Sequence, residues 1–321
     1  MQEQLGAPTR VSSVHSIDHF ALNVPSIESA RHFFTAFGLD VRLIERAEKA
    51  ELELRALDGH RWARILPSNE KSLAYLSFSC YEGDLEAIED QIRSAGGRLM
   101  TDVPAAIGPE CCSPGGLWFA DLDGNMIHVG VGRKTTPSAK GANVSPAIPA
   151  DVRGAYPRSE AKLVRPRRMS HVLLFTPDVP RAVAFYQQAL GLGLSDKSID
   201  IIAFMHAVHG SDHHLLAFAK STAKGWHHVA WDVKDINDIG VGANQMVAAG
   251  YAKGWGTGRH VLGSNYFHYV MDPWGSFSEY SADIDFISAG KPWMTGDFPP
   301  EDSLYLWGPD VPPFFIHNTE A

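Results

Sequence analysis

Three residues in the second half of the chain, His171, His228 and Glu279, have the types and the placement to hold a divalent metal. Two imidazoles and one carboxylate on one face of an ion leave positions open for a substrate and O₂, the arrangement of non-haem Fe(II) oxygenases. Histidine usage draws attention to this half: of 15 histidines, ten lie from His171 onward. Imidazole is both a common ligand and a proton shuttle near neutral pH. Any one of these residues alone reads more simply as a hydrogen-bonded core side chain. What sets the three apart is that they fall at matching places in an internal repeat.

The repeat is visible at the start of each half. The segment from Ile17 to Phe34 matches that from Met169 to Tyr186, with His19 against His171, Pro25 against Pro177, Ala30 against Ala182 and Phe33-Phe34 against Phe185-Tyr186. Each segment predicts a strand, a turn and a short amphipathic helix. Ile27, Ala30, Phe33, Phe34 and Phe37 recur at helical spacing, and Gly38 and Gly191 stand where a left-handed cap ends each helix. The ends of the halves match as well. Asp121 to His128 has the layout of Asp272 to Glu279, so His128 falls where Glu279 falls. A second unit starts inside each half, at Ala74 and at His228. Both His171 and His228 precede an Asp by seven positions, Asp178 and Asp235.

The chain therefore predicts an α+β fold of four βαβββ modules, two per domain, each pair forming a curved mixed sheet around a cavity. Residues 1–131 make an N-terminal domain and 132–166 a Pro-, Gly-, Ser- and Lys-rich linker. Residues 167–321 make the metal-binding domain, with an aromatic- and Pro-rich tail expected to wrap it. If paired modules curl around a shared cavity, His171, His228 and Glu279 point at one centre. His227 and His228 are strand neighbours and should face opposite sides; the repeat selects His228 and leaves His227 to support the ligand or the structure. The first half has His19 and His128, but Leu73-Ala74-Tyr75 supplies no third ligand, so this half is expected to carry no metal and to serve structure or assembly.

Composition bounds the function. With 321 residues, 45% hydrophobic and 20% charged, the chain can form two cores. A formal net charge of -9 argues against nucleic acid as a partner. No apolar run is long enough for a membrane span, and no signal peptide is visible at the start. Three cysteines, Cys80, Cys111 and Cys112, suit ordinary thiols in a reducing cytoplasm.

These features resemble the type I extradiol dioxygenases of the vicinal-oxygen-chelate superfamily, over about residues 16–282. The resemblance is carried by His171-Val-Leu-Leu-Phe, Asp212-His-His-Leu-Leu-Ala-Phe, His227-His-Val-Ala-Trp, Gly258-Arg-His260 and Tyr269 through Glu279-Tyr280. It implies metal ligation by His171, His228 and Glu279, with Fe(II) as the ion; Mn(II) fits the same ligand set. It implies catalytic roles for His214, His260 and Tyr269: His214 as proton acceptor, His260 and Tyr269 as partners of the substrate oxygen. His213 is placed against the substrate with His260 and Tyr269, though which of His213 and His214 faces the metal is open. Val261 and Leu262 depart from the polar residue often found after the Gly-Arg-His motif, which puts substrate detail in doubt. Phe204, Met205 and Trp255 suit an apolar ring substituent, so an aryl- or alkyl-substituted catechol and O₂ are the expected substrates, in a homo-oligomer. The alternatives are a hydroquinone-type or hydroxyphenylpyruvate-type dioxygenase, or a relative that only binds a ligand.

Overall fold

A computed structural model describes residues 12–46, 49–141 and 148–321. The first residues of the expected N-terminal domain and the middle of the expected linker thus lie outside the described residues. Four modules follow one another. The first is β1 (Val14–Val24), α1 (Ile27–Phe37), β2 (Asp40–Arg46), β3 (Lys49–Arg55) and β4 (Arg61–Pro67). The second is β5 (Ser72–Cys80), α2 (Leu85–Ser94), β6 (Arg98–Leu99), β7 (Leu117–Ala120) and β8 (Met126–Val131). The third is β9 (Arg168–Thr176), α3 (Val179–Leu190), β10 (Leu192–Ser198), β11 (Ile202–Ala207), β12 (Ser211–Asp212) and β13 (Leu216–Lys220). The fourth is β14 (Gly225–Asp232), α4 (Ile236–Ala248), β15 (Gly254–His260), β16 (Tyr266–Met271) and β17 (Phe277–Ala282). The tail adds β18 (Phe286–Ile287), β19 (Gly296–Asp297) and β20 (Tyr305–Trp307).

Modules pair side by side into two mixed sheets, as the repeat predicts. The first is ordered β2-β3-β4-β1-β5-β8-β7-β6, and the second β19-β10-β11-β13-β9-β14-β17-β16-β15-β20. The seams are antiparallel, β1 on β5 and β9 on β14, while β1–β4, β5–β8, β9–β13 and β14–β17 run parallel. One excursion breaks the pattern: β12 leaves the large sheet and pairs with β18 of the tail.

Helices form where the sequence placed them. Ser26 caps α1 by accepting from the Ser29 N–H at 3.1 Å, and Asp178 caps α3 from the Arg181 N–H at 3.0 Å. Ala30, Phe33, Phe34 and Phe37 form the buried stripe of α1. That stripe joins the two halves, because Phe37 stacks on Tyr280 at 3.9 Å and the Tyr280 hydroxyl donates to the Phe37 carbonyl at 2.9 Å. Among the described residues no helix is long and apolar enough to cross a membrane.

Gly38 ends α1 at φ 100°, and a Cβ there would stand 2.0 Å from the Val164 carbonyl oxygen. Gly38→Ala is therefore expected to cost roughly 2–4 kcal/mol, from left-handed strain of about 1 and overpacking of about 1–3. Gly59, at φ 75° with nothing near its Cβ direction, supplies the control. Gly59→Ala should lose only the strain. Urea midpoints at unchanged m read the difference.

Candidate metal centre and active site

The register of three adjacent strands brings His171, His228 and Glu279 together. Ala230 on β14 lies opposite His171 of β9 and opposite Glu279 of β17. His228 is two residues before Ala230, so it shares that face. The small Ala230 side chain leaves the centre open. His171, His228 and Glu279 are all buried, and their ligand atoms lie within 4.8 Å of one another. Glu279 Oε2 is 3.3 Å from His171 Nε2 and 3.5 Å from His228 Nε2.

This cluster fits a divalent cation. Glu279 Oε2 and His228 Nε2 are both buried without a hydrogen-bond partner. Orphaned polar atoms of this kind carry a desolvation cost that a cation between them offsets. Each of the three side chains is oriented from behind, as metal ligands usually are. The His171 Nδ1–H donates to Ser170 Oγ (3.2 Å), whose hydroxyl donates to Asp212 (3.3 Å). Asn265 Nδ2 donates to Glu279 Oε1 and to Ser281 Oγ, each at 3.0 Å. His228 Nδ1 lies 2.6 Å from His227 Nδ1.

Asn265 was not singled out by sequence reasoning as an orienting group. Its position in the turn before β16 carries no signal of its own, because the contact depends on the β16–β17 pairing. His227 is a correction. The β9–β14 register shifts between Trp226 and His228, and this bulge turns His227 to the same side as His228 instead of the opposite face.

The first half keeps the same register with different chemistry. Ser77 on β5 lies opposite His19 and His128, so Tyr75 takes the place of His228. The Tyr75 hydroxyl meets His19 Nε2 at 2.8 Å and accepts from Arg64 Nη1 at 3.0 Å. Arg64, only 1% exposed, pairs with Glu51 at 2.6 Å. Tyr75 thus satisfies His19 Nε2, whereas His228 Nε2 and Glu279 Oε2 in the second half have no partner.

Comparisons with known proteins place the chain in a family. Residues 168–280 match the model of the glyoxalase/bleomycin resistance protein/dioxygenase superfamily. The chain is 56% identical over 309 residues to metapyrocatechase 2 of Cupriavidus necator, spanning 96% of this chain and 93% of that protein. This chain belongs to the extradiol dioxygenases of that superfamily. The fold is shared with solved structures. One is the 2,2',3-trihydroxybiphenyl 1,2-dioxygenase of Sphingomonas wittichii strain RW1, with TM-score 0.71, 20% identity and coverage of 94% of this chain and 100% of that one. Another is the Mn(II)-bound glyoxalase of Novosphingobium aromaticivorans, with TM-score 0.70, 21% identity and coverage of 97% and 99%.

The dioxygenase has a cavity of about 310 Å³ that opens onto the ligand cluster. Its walls are Leu173, Phe175, Ile202, Phe204, Ala219 and Leu262, with Pro300, Ser303, Leu304, Phe315 and Ile316 of the tail closing it. His214, His260 and Tyr269 join the metal cluster at the inner end. Three residues expected against the substrate lie elsewhere. Met205 alternates with Phe204 along β11 and points into the core. Trp255 stands behind Tyr269, rings 5.6 Å apart, and donates Nε1–H to the Pro309 carbonyl at 2.8 Å. His213 is held away from the cavity by Asp196 at 2.7 Å.

His214 and not His213 thus faces the cavity, its ring 4.0 Å from that of His171 and 4.7 Å from that of Phe204. The pair lies in the bend between β12 and β13, because the β12–β18 pairing draws the chain out of the sheet. His213 Nε2–H donates to Asp196, which leaves its Nδ1 to accept from His214 Nδ1–H at 3.0 Å. Nε2 of His214 is then the basic nitrogen. Burial, reinforced by His171, His213, His260 and His228, holds this imidazole well below its ordinary pKa, so it is neutral near pH 7. The dioxygenase fixes His260 in the same manner. Its Nδ1–H donates to the Leu304 carbonyl at 2.6 Å, and Nε2 accepts from the Tyr269 hydroxyl at 3.0 Å. Burial and then the nearby Glu279 push the Tyr269 phenol well above its usual pKa, so it keeps its proton.

Proposed function

We propose that this dioxygenase opens the ring of an aryl- or alkyl-substituted catechol beside its two hydroxyls, incorporating both atoms of O₂, with Fe(II) held by His171, His228 and Glu279. The observation that carries this reading is the coincidence of a buried His-His-Glu cluster, in which His228 Nε2 and Glu279 Oε2 lack hydrogen-bond partners, with three further titratable groups beside one apolar cavity. Fe(II) when bound supplies Lewis acidity toward the catechol hydroxyls and electronic coupling to O₂.

The protein's own groups handle the rest. Leu173, Ile202, Phe204 and Leu262 receive the ring and its substituent and exclude water. His214 accepts a hydroxyl proton at Nε2 and can return it later in the cycle. Tyr269, whose hydroxyl donates to His260, accepts a hydrogen bond from a substrate hydroxyl and exchanges a proton along the same pair. No fixed cation lines the cavity's apolar wall among the described residues except Lys220 near its rim, which supports an uncharged substituent.

The reading extends to the chain as a whole. In this reading the described part of 1–131 is a domain that needs no metal, 132–166 is the connector, and 167–321, tail included, is the catalytic domain. A reducing cytoplasm fits a chain whose three cysteines are all free thiols.

The test is metal removal, anaerobic loading with Fe(II) or Mn(II), and O₂ uptake with catechol, an alkylcatechol, an arylcatechol and a carboxylated catechol. One O₂ should disappear per catechol, with a yellow ring-opened product and a higher kcat/KM for the apolar substituents. Fe(II) should restore more activity than Mn(II). Absence of O₂ uptake with every catechol sinks the proposal; a preference for the carboxylated substrate sinks its substrate class.

A further inference from the structure

We propose that His227 is a positioning residue that fixes the metal-binding tautomer of His228, and that the C-terminal tail sets it through the Phe315 carbonyl. This inference rests on His228 being a metal ligand.

The argument is one of proton placement. His228 Nδ1 and His227 Nδ1 are 2.6 Å apart, and His227 Nε2 is 2.7 Å from the Phe315 oxygen. A carbonyl can only accept, so His227 Nε2 must carry a proton. In a neutral ring His227 Nδ1 is then the acceptor, and the proton between the two rings belongs to His228 Nδ1. That leaves Nε2 of His228, buried and partnerless beside Glu279, as a free lone pair. The opposite tautomer would set two acceptors, His227 Nε2 and the carbonyl, against each other at 2.7 Å. One backbone carbonyl in the tail therefore decides whether Nε2 of His228, the nitrogen beside Glu279, keeps its lone pair free.

The bulge in β14 makes the contact available, since an unbroken strand would turn His227 away. The tail is held at this place from two sides. The Phe315 ring packs on His227 at 4.8 Å, Tyr269 at 4.7 Å and Phe277 at 5.0 Å. Further on, Glu320 accepts from the Trp226 N–H at 3.0 Å and from Lys71 Nζ at 2.5 Å. Lys71 is buried and comes from the first half, and it also donates to the Trp226 carbonyl at 3.2 Å. Phe315 and Ile316 line the substrate cavity. The segment that closes the cavity is thus the segment that orients a ligand.

The test is metal affinity of the full chain, measured with Fe(II) or Zn(II) by chelator competition, with apo-protein melting as the fold control. His227→Phe keeps a ring of similar size but neither hydrogen bond, and should weaken binding about 10–100-fold, as loss of a ligand's outer partner does. His227→Gln can accept from His228 and donate to the Phe315 carbonyl, and should recover most of that loss. Glu320→Ala, which frees the tail end without touching the site, should weaken binding several-fold. Wild-type affinity in His227→Phe, or equal weakening in the Gln and Phe variants, overturns the positioning role. Unchanged affinity in Glu320→Ala overturns the tail's part in it. His228→Ala in the same series separates the two readings: if it still binds metal, the ligand assignment is wrong; if it loses metal and His227→Phe does not, only this inference fails.

Discussion

His228→Ala is expected to yield a folded protein that no longer retains a metal and turns over no catechol. The Nε2 removed is one of two buried, partnerless atoms in the cluster, and the two remaining ligands come from strands on either side of β14. A two-ligand site loses the chelate geometry that three fixed donors provide. The loss in affinity should exceed the about 10–100-fold that follows from removing an outer partner alone. The fold should survive. His228 lies at the cavity end, and its other nitrogen serves only His227. Leaving His227 Nδ1 unpaired costs about 1–3 kcal/mol, which eliminating an unsatisfied imidazole nitrogen partly offsets. Elemental analysis after gel filtration reads the result, with one metal per chain in the parent and near zero in the variant. A variant that keeps its stoichiometric metal removes His228 from the ligand set.

What made this site legible in the sequence was the repeat. Matching His19 with His171 and His128 with Glu279 placed both residues on strands that flank the middle of the next module. The strand registers at Ser77 and Ala230 are the physical form of that match. Tyr75 shows the same logic in the negative. A tyrosine at the position of His228 can satisfy His19 with its hydroxyl, and Arg64 with its buried partner Glu51 fills the remaining space.

The misplaced residues share a cause. His227, His213, Met205 and Trp255 were all judged from local alternation or from proximity along the chain. A bulge is a property of pairing between β9 and β14, and the excursion of β12 depends on a tail strand far along the chain, so neither leaves a local pattern. Met205 follows the alternation rule, but which face of β11 meets the cavity is set by the sheet's curvature around it. Trp255 was read as lining because it is large and apolar. The tail in fact supplies Leu304, Phe315 and Ile316 at the cavity and encloses Trp255 behind Tyr269. The composition of the tail carried no signal for its contacts with the cavity.

His214→Ala should separate chemistry from metal binding. His214 contributes no atom to the ligand cluster, whose members are His171, His228 and Glu279, so metal content should match the parent. Its Nε2 is the basic nitrogen because the Asp196–His213 pair occupies Nδ1. Removing a positioned proton acceptor lowers turnover about 10²–10⁴-fold, and the effect should fall on kcat, with KM changed little. Packing needs its own control, since the imidazole rests on both His171 and Phe204. His214→Phe restores the ring without the nitrogen; it should keep the metal and remain as slow as the alanine variant. A phenylalanine variant near parental activity would mean that His214 acts by filling space. Loss of metal in both variants, as in His228→Ala, would mean that the ring props up the ligand cluster and the acid–base role belongs to the Tyr269–His260 pair, whose hydrogen bond already points at the same end of the cavity.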